Sequence, residues 1–238
     1  MPPTEISFHQ ATLAVDEVQE RCPKDSAPTK QQALRLLIGM GYNPSAAVAK
    51  WNEITAWRAT NRIDDVRREQ ASLMAGTSDI HFPNELEVYS KLIKVRPCVL
   101  RAADGSPVSI WHAGSLNTGS LSSLSSTDVS AWSHAVFEYK DLWVSQKSEE
   151  QKRLVGYIQV YDMQGVSLRH LSSRELMDKM KCALEVGSYY MEAVAHMYVI
   201  NASVLFSMAW KAAATTDLVP HTHVRTYVRT HIPTHVPA

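Results

Sequence analysis

Apolar residues in the N-terminal part of the chain recur at steps of three and four, the spacing of a helix with one buried face. Residues 30–38 carry such a stripe, and the glycines of Gly39-Met40-Gly41 predict its end. Asn43-Pro44 then supplies an N-cap and a first-turn proline for another helix. Residues 30–94 are therefore predicted to form a helical lobe.

Residues 1–29 contain several prolines and no sustained stripe. They are predicted to form a disordered leader that can contain a short helix around residues 11–20.

The pattern changes from residue 95 onward. Pro97–Arg101 and Val108–Trp111 are apolar runs joined through Asp104-Gly105, which predicts a β-hairpin. Leu154–Tyr161 and His196–Ile200 are apolar on both alternating faces, which is typical of central strands covered by helices. Because strands alternate with helical segments, the sheet is predicted to be parallel or mixed.

Helices are predicted between and after these strands. One begins at Thr127-Asp128 and carries large apolar residues at helical spacing. Another is capped by Ser172 or Ser173, and its inward positions are predicted to be Leu176, Met180 and Leu184. Residues 204–214 predict a further helix.

The predicted fold class is α/β, with an N-terminal helical lobe followed by a mixed, mostly parallel sheet flanked by helices over residues 95–214. Residues 215–238 are a degenerate repeat of His, Thr, Val, Arg and Pro. This low-complexity tail is predicted to be unstructured, since its prolines limit strand pairing.

Composition removes several classes of function. Lys+Arg and Asp+Glu balance at 24 each, so the basic surface that nucleic acid usually requires is not expected. The three cysteines are far apart, which favours reduced thiols in the cytosol over a disulfide framework. We see no secretory signal and no apolar run long enough to span a membrane. The expected location is cytoplasmic.

Enzyme chemistry is not predicted. Ser115 follows Gly114 but lacks the Gly-x-Ser-x-Gly elbow of a hydrolase, and Gly39-Met40-Gly41 lacks the remaining features of a dinucleotide fingerprint. Asp162 ends a strand, where catalytic groups often lie in α/β folds, but capping of the next turn is the preferred interpretation. A small α/β hydrolase is the disfavoured alternative.

Metal binding is not predicted either, and no cofactor is expected. The tail histidines could place imidazoles on one strand face, but no acidic or cysteine partner fixes a geometry. These histidines are His221, His223, His231 and His235.

Three segments in order carry a family resemblance. The first is Leu34-Arg35-Leu36-Leu37 with Tyr42–Ala47 and Trp57-Arg58. The second is Gly156–Leu168, which contains Asp-x-x-Gly-x-Ser. The third is Tyr189-Tyr190-Met191-Glu192 followed by Ile-Asn-Ala and Phe-x-x-x-Trp, ending at Trp210. Together, over roughly residues 30–211, they resemble the CRAL-TRIO lipid-transfer family.

The resemblance implies a sheet floor, surrounding helices and an apolar cavity that holds one lipid. The predicted function is therefore cytosolic binding and inter-membrane transfer of a phospholipid or other lipophilic ligand, with transient peripheral membrane contact and no nucleic acid. Under this resemblance, the two-sided strands and the Met- and Tyr-rich run from Met177 to Met208 are the segments expected to line the cavity. The predicted ligand-binding residues are Tyr157, Gln159, Tyr161, Met180, Leu184, Tyr190, Glu192, Tyr198, Ile200, Leu205, Phe206 and Met208.

The chain departs from the family in ways that bear on its cargo. Of the polar residues that hold an inositol headgroup in phosphatidylinositol-binding members, only Glu192 has a counterpart, and the expected basic residue falls on Met40. The sequence leaves two roles for Glu192: a surface charge or helix cap, or a polar contact with the ligand. The two small hydroxyl residues that favour phosphatidylcholine fall on Tyr157 and Gln159.

A further departure follows Lys211, where the family continues with a gating helix, a strand and a closing segment. The repeat tail stands there instead, so the expected lid is missing or replaced, as in a truncated or alternatively spliced form. The alternative function is a membrane-associated or protein-interaction module that keeps the fold without cargo.

Overall fold

The fold is described from a computed structural model, over residues 8–76, 94–167, 170, 172–202 and 224–225. The chain forms two units that interleave along the sequence. The helical unit comprises residues 8–76, 130–156 and 182–193. The sheet unit comprises residues 94–129, 157–167, 170, 172–181, 194–202 and 224–225. The sequence predicted a single boundary near residue 94, whereas in the structure residues 130–156 and 182–193 also belong to the helical unit.

The N-terminal part of the helical unit is built from consecutive helices: α1 (Phe8–Arg21), α2 (Lys30–Gly39), α3 (Pro44–Thr60) and α4 (Ile63–Gly76). Thr29 and Gln32 form a reciprocal capping box at the start of α2, and the Asn43 side chain accepts a hydrogen bond from Ala46 N at the start of α3. The predicted helical hairpin is confirmed. The helix expected in the later part of residues 64–94 lies outside the described residues.

The predicted disorder of the leader is wrong for residues 8–21, where the short helix expected around residues 11–20 is the longer, packed helix α1. Val15, Val18 and Cys22 follow one another at steps of three and four, and all three are buried in one core with Leu36 and Leu37. This stripe was overlooked because the flanking prolines dominated the prediction. The burial of Val18, which is fully enclosed, shows that α1 is part of the packed helical unit.

The described strands form one sheet in the order β1 (Lys94–Arg101), β2 (Pro107–His112), β3 (Tyr157–Asp162), β4 (Val194–Ile200) and β5 (Val224–Arg225). β1 and β2 are antiparallel, as the predicted hairpin requires, and the later pairs are parallel. The prediction of a mixed, mostly parallel sheet in an α/β fold is confirmed.

β5 corrects the prediction for the tail. Val224 pairs with Met197 and Arg225 with Tyr198, although residues 215–238 were predicted to be unstructured. Both residues lie between the prolines of the repeat, where the backbone N–H groups needed for pairing are present.

Two further helices lie in the connections between parallel strands, as crossovers require. α5 (Ser126–Gln151) connects β2 to β3, and α6 (Arg174–Gly187) connects β3 to β4. α5 starts one residue earlier than predicted, because Ser125 is its cap: the Ser125 hydroxyl accepts from Asp128 N at 3.0 Å and donates to the Asp128 carboxylate at 2.6 Å. The helix predicted at residues 204–214 lies outside the described residues. Within the described helices, none is long and apolar enough to cross a bilayer.

The turns after β2 and β3 touch each other through their backbones. Gly114 lies so close to the other turn that an added Cβ would be 1.8 Å from the carbonyl oxygen of Gln164. Gly165, on the opposite turn, has a φ of +83°, which also favours glycine. This close approach holds the ends of β2 and β3 in a fixed relation.

Replacing Gly114 with alanine should destabilise the protein by about 2 kcal/mol, because the backbone of one turn must move to accommodate the methyl group. Gly119→Ala is the matched control, since the nearest atom to its added Cβ is Asn117 Oδ1 at 3.5 Å. Urea denaturation followed by circular dichroism would measure both. Equal midpoints for the two variants would contradict the contact.

Candidate functional site

The two faces of the sheet differ in exposure. Residues paired across parallel strands point to the same side, and successive residues on one strand alternate. Ser109 pairs with Gln159, and Trp111 pairs with Tyr161, which in turn pairs with Val199. We call their side the buried face.

The buried face has little free space in the sheet unit. Ser109 is 0% exposed, Gln159 is 3% exposed and Tyr157 is 4% exposed. The amide of Gln159 donates to the carbonyl of Ser109 at 3.3 Å, and Trp111 packs edge-on against Tyr161 with ring centroids 5.7 Å apart. Burial also raises the pKa of Tyr161 to about 12. These side chains fill the face themselves.

The opposite side, which we call the half-buried face, carries aliphatic and aromatic residues in register across three strands. Each is intermediate in exposure, neither enclosed nor fully in water. Its members are Val108, Ile110, Ile158, Val160, Tyr198 and Ile200. The apolar surface that a ligand could cover is continuous along the row of Ile110, Val160 and Tyr198, whereas exposed His196, the partner of Ile158, interrupts it at the other end of β4.

The predicted ligand residues are divided between these faces. Tyr157, Gln159 and Tyr161 lie on the buried face, whereas Tyr198 and Ile200 lie on the half-buried face. Since no single ligand contacts both sides of a sheet, the structure does not bring the predicted set together. Leu205, Phe206 and Met208 lie outside the described residues.

The two predicted ligand residues on α6 differ in exposure. Met180 is half-buried, but Leu184 is 63% exposed, so its predicted inward position is wrong. The buried stripe of α6 runs through Leu176 and Ala183, seven residues apart, and Leu184 lies one residue, or about 100°, away from it. Met177, seven residues before Leu184, is exposed in the same way.

Polar side chains lie on the half-buried face at the last residues of the parallel strands β2 and β3. His112, the last residue of β2, pairs with Asp162, the last residue of β3, and their Nδ1 and Oδ2 atoms are 3.3 Å apart. Asp162 Oδ1 accepts from the Asn201 side chain at 2.9 Å and from Gln164 N at 3.0 Å. The predicted role of Asp162 in the following turn is confirmed by the bond from Gln164.

The environment of Asp162 favours its ionised form. Burial alone would raise the pKa of this carboxyl group, but the hydrogen bonds from Asn201, Gln164 and His112 outweigh it and hold the pKa below the ordinary value. Asp162 is therefore a carboxylate at neutral pH. Within the described residues, no group of three or more His, Cys, Asp or Glu side chains is arranged to hold a metal ion.

Asp162→Asn should lower the free energy of unfolding by roughly 1–2 kcal/mol at neutral pH, because charge-assisted hydrogen bonds are lost. A carboxyl group with a lowered folded pKa stabilises the protein above its unfolded pKa, and this contribution is lost as the pH falls through the folded pKa. The difference between the two proteins should thus be constant above about pH 5 and shrink below the ordinary value of 3.8. Urea titrations at several pH values would measure it, and a difference that grows in acid would contradict the assignment.

The remaining predicted residues, Tyr190 and Glu192, belong to the helical unit. The Tyr190 hydroxyl donates to Glu138 at 2.7 Å, and the backbone oxygen of Glu192 accepts from the Arg35 guanidinium. Trp57 stacks on Tyr189 with ring centroids 4.2 Å apart. The first and third segments of the family resemblance thus contact each other inside this unit.

Glu138 is the centre of a buried charge network that sequence reasoning missed. Its fully buried carboxylate contacts Arg58 at 2.6 Å and Arg67 at 2.9 Å, and Arg67 also reaches Asp141 at 2.7 Å. Burial alone would lower the pKa of Arg58, but Glu138 raises it overall, and burial together with Glu138 raises the pKa of Tyr190. A glutamate inside an apolar helical stripe, as at 135–139, was the signal that could have identified it.

Glu138→Gln should destabilise the protein by about 3 kcal/mol, because it leaves two partly buried arginines without their shared carboxylate. Glu150→Gln on the same helix is the control, since Glu150 is exposed and pairs with Lys147 at the surface. The control should leave the denaturation midpoint unchanged. Guanidinium denaturation would compare them, and an unaltered midpoint for Glu138→Gln would show that the network does not stabilise the fold.

A groove of about 580 Å³ lies between α4 and α5 of the helical unit. Its walls include Met74, Leu142 and Trp143, and its charged residues are Arg67 and Glu149. The volume is within the range of small-ligand pockets. None of the predicted ligand residues lines it, and Arg67 is already paired inside the unit, so we place the candidate site on the sheet.

Together, the mixed sheet, its crossover helices and the half-buried face define an α/β protein with an apolar sheet surface. Known proteins place it more closely. The CRAL/TRIO domain family matches residues 100–216. This match covers just under half of the chain, and proteins of that family generally bind lipophilic ligands such as phospholipids and are not generally enzymes.

Individual relatives agree with this placement. Protein real-time of Drosophila melanogaster is 24% identical over 188 residues, and Protein real-time of Drosophila pseudoobscura pseudoobscura is 23% identical over 188 residues. Each alignment covers 78% of this chain and 26% of the relative, so the chain spans about a quarter of their length. The crystal structure of Sfh5 is similar with a TM-score of 0.59 and 15% identity, covering 94% of this chain and 82% of that chain. The likeness to Sfh5 shows a common fold.

Proposed function

We propose that the sheet unit binds one lipid or other hydrophobic molecule on its half-buried face and carries it between membranes. The observation that supports this most directly is the apolar surface in register across β2, β3 and β4. The role is non-enzymatic and cytosolic, with transient contact at a membrane when cargo is exchanged.

The energy of transfer explains why such a surface is needed. An acyl chain leaving a bilayer loses about 0.8 kcal/mol per methylene, so a chain of some fifteen methylenes needs roughly 12 kcal/mol restored. At about 25 cal/mol per Å² of buried apolar area, several hundred Å² must be covered. Six half-buried aliphatic and aromatic side chains on adjacent strands provide an extended surface of this kind.

We place the ligand on the half-buried face because the side chains of the buried face leave little room for it. Tyr157 and Gln159 stand where the resemblance places small hydroxyl residues, and both are almost fully enclosed. Large side chains at these positions occupy volume that a ligand would otherwise fill. The cargo is accordingly proposed to contact Val160 and its same-face neighbours rather than Gln159.

The hydroxyl and imidazole groups near the ends of the strands support a non-enzymatic role. The Ser115 hydroxyl donates to the carbonyl of His112 at 2.7 Å. His170 Nδ1 lies 2.8 Å from the Ser167 hydroxyl and accepts from Ser167 N at 3.1 Å, while its Nε2 lies 3.3 Å from the carbonyl of Leu116. Ser115 and His170 each bond a backbone group of a turn, which gives both a structural role there.

Val160→Trp should abolish lipid transfer, because the indole would cover the surface between Ile110 and Tyr198, its partners in register. The affinity should fall at least roughly tenfold, while the added volume costs about 1–3 kcal/mol of stability. Transfer of a fluorescent phospholipid between vesicles and mass spectrometry of co-purified lipid are the measurements.

Val160→Ser tests the same position without adding volume and should weaken transfer less. Leu184→Ser is the control, because it removes an exposed apolar side chain from a helix and should leave transfer unchanged. Normal transfer by a folded Val160→Trp protein would place the cargo elsewhere. A folded wild-type protein that neither retains nor transfers lipid would favour the alternative of an interaction module without cargo.

A further inference from the structure

The polar end of the half-buried face lies in line with its apolar rows. His112, Asp162 and Ile200 are partners in register, two residues beyond the row of Ile110, Val160 and Tyr198. Two residues of strand correspond to about 6–7 Å, so the imidazole borders the apolar surface. The side chain of His112 is 53% exposed, so its ring is accessible.

Asp162 fixes the orientation of that ring. Its Oδ1 is engaged by Asn201 and Gln164, and its Oδ2 faces His112 Nδ1. Because a carboxylate can only accept hydrogen bonds, Nδ1 must carry the proton. In the neutral imidazole Nε2 is then an acceptor, and within the described part of the chain nothing bonds it.

We infer that Nε2 of His112 accepts a hydrogen bond from the hydroxyl head group of an uncharged, long-chain amphiphile whose tail lies on the half-buried face. This assignment rests on the proposed function and narrows its ligand class. His112 is a binding residue in it, and Asp162 is a positioning residue that acts through the His112 ring.

The charge next to the ring argues against an anionic head group. The charged group in contact with His112 is the Asp162 carboxylate, about one hydrogen bond away. A second anion on the other side of a neutral imidazole gains no donor and is repelled by Asp162. A hydroxyl group, by contrast, supplies the donor that Nε2 requires and carries no charge.

The test compares three fluorescent probes that share one long acyl tail and end in an alcohol, a carboxylate or a methyl group. At neutral pH, the wild-type protein should bind the alcohol roughly tenfold more tightly than the methyl-ended probe, the gain expected of one good hydrogen bond. The carboxylate should bind no better than the methyl-ended probe.

His112→Phe, which keeps a ring but removes the acceptor, should erase the preference for the alcohol, so that the variant binds the alcohol and the methyl-ended probe with similar affinity. His112→Gln, which restores an acceptor, should recover part of it. Asp162→Asn should reduce the preference without abolishing tail binding. Circular dichroism would establish that each variant is folded.

The possible outcomes distinguish the head-group assignment from the proposed lipid-binding function. Equal binding of all three probes by wild type, or tighter binding of the carboxylate, overturns the head-group assignment and leaves the proposed function standing. An unchanged preference in His112→Phe overturns it as well. Failure of wild type to bind even the methyl-ended probe overturns both.

Discussion

The parallel register of β2, β3 and β4 is the constraint on which the rest of the sheet unit depends. Once Ser109 is aligned with Gln159, every other side chain on these strands is assigned to one of two sides. The same alignment brings His112 next to Asp162 at the strand ends. The close approach of Gly114 to Gln164 holds that alignment, because the two turns can pack this closely only without a side chain at residue 114.

Much of the fold was predictable because it follows from local periodicity. The helical hairpin, the β1–β2 hairpin, the central strands and the mixed sheet all have patterns that are legible within about ten residues. The packing of helix α1 into the core and the strand β5 were not predicted, since prolines nearby suggested irregular backbone in both places. In each case the residues between the prolines were free to pair or pack.

The candidate site was less predictable for a physical reason. A strand that is apolar on both faces, such as 154–161, contains no information about which face meets a ligand. Only the relative size and exposure of Gln159 and Val160, neighbours on opposite sides, distinguish the faces, and exposure is a property of the folded chain. The Glu138 network was missed because its arginines lie 71 and 80 residues away in sequence. Pairings of that kind leave no short-range pattern.

Arg35 has a consequence for how the chain reaches its native state. Its guanidinium bonds the backbone oxygens of Val155 and Glu192, which are 120 and 157 residues further along the chain. Such non-local closures are slow to form, because the intervening segment must first be brought together. During synthesis, α1 to α4 emerge long before these partners, so the Arg35 guanidinium is made well before the two backbone oxygens that accept from it. The helical unit therefore completes late, and an N-terminal fragment that ends before residue 155 lacks both of these backbone acceptors.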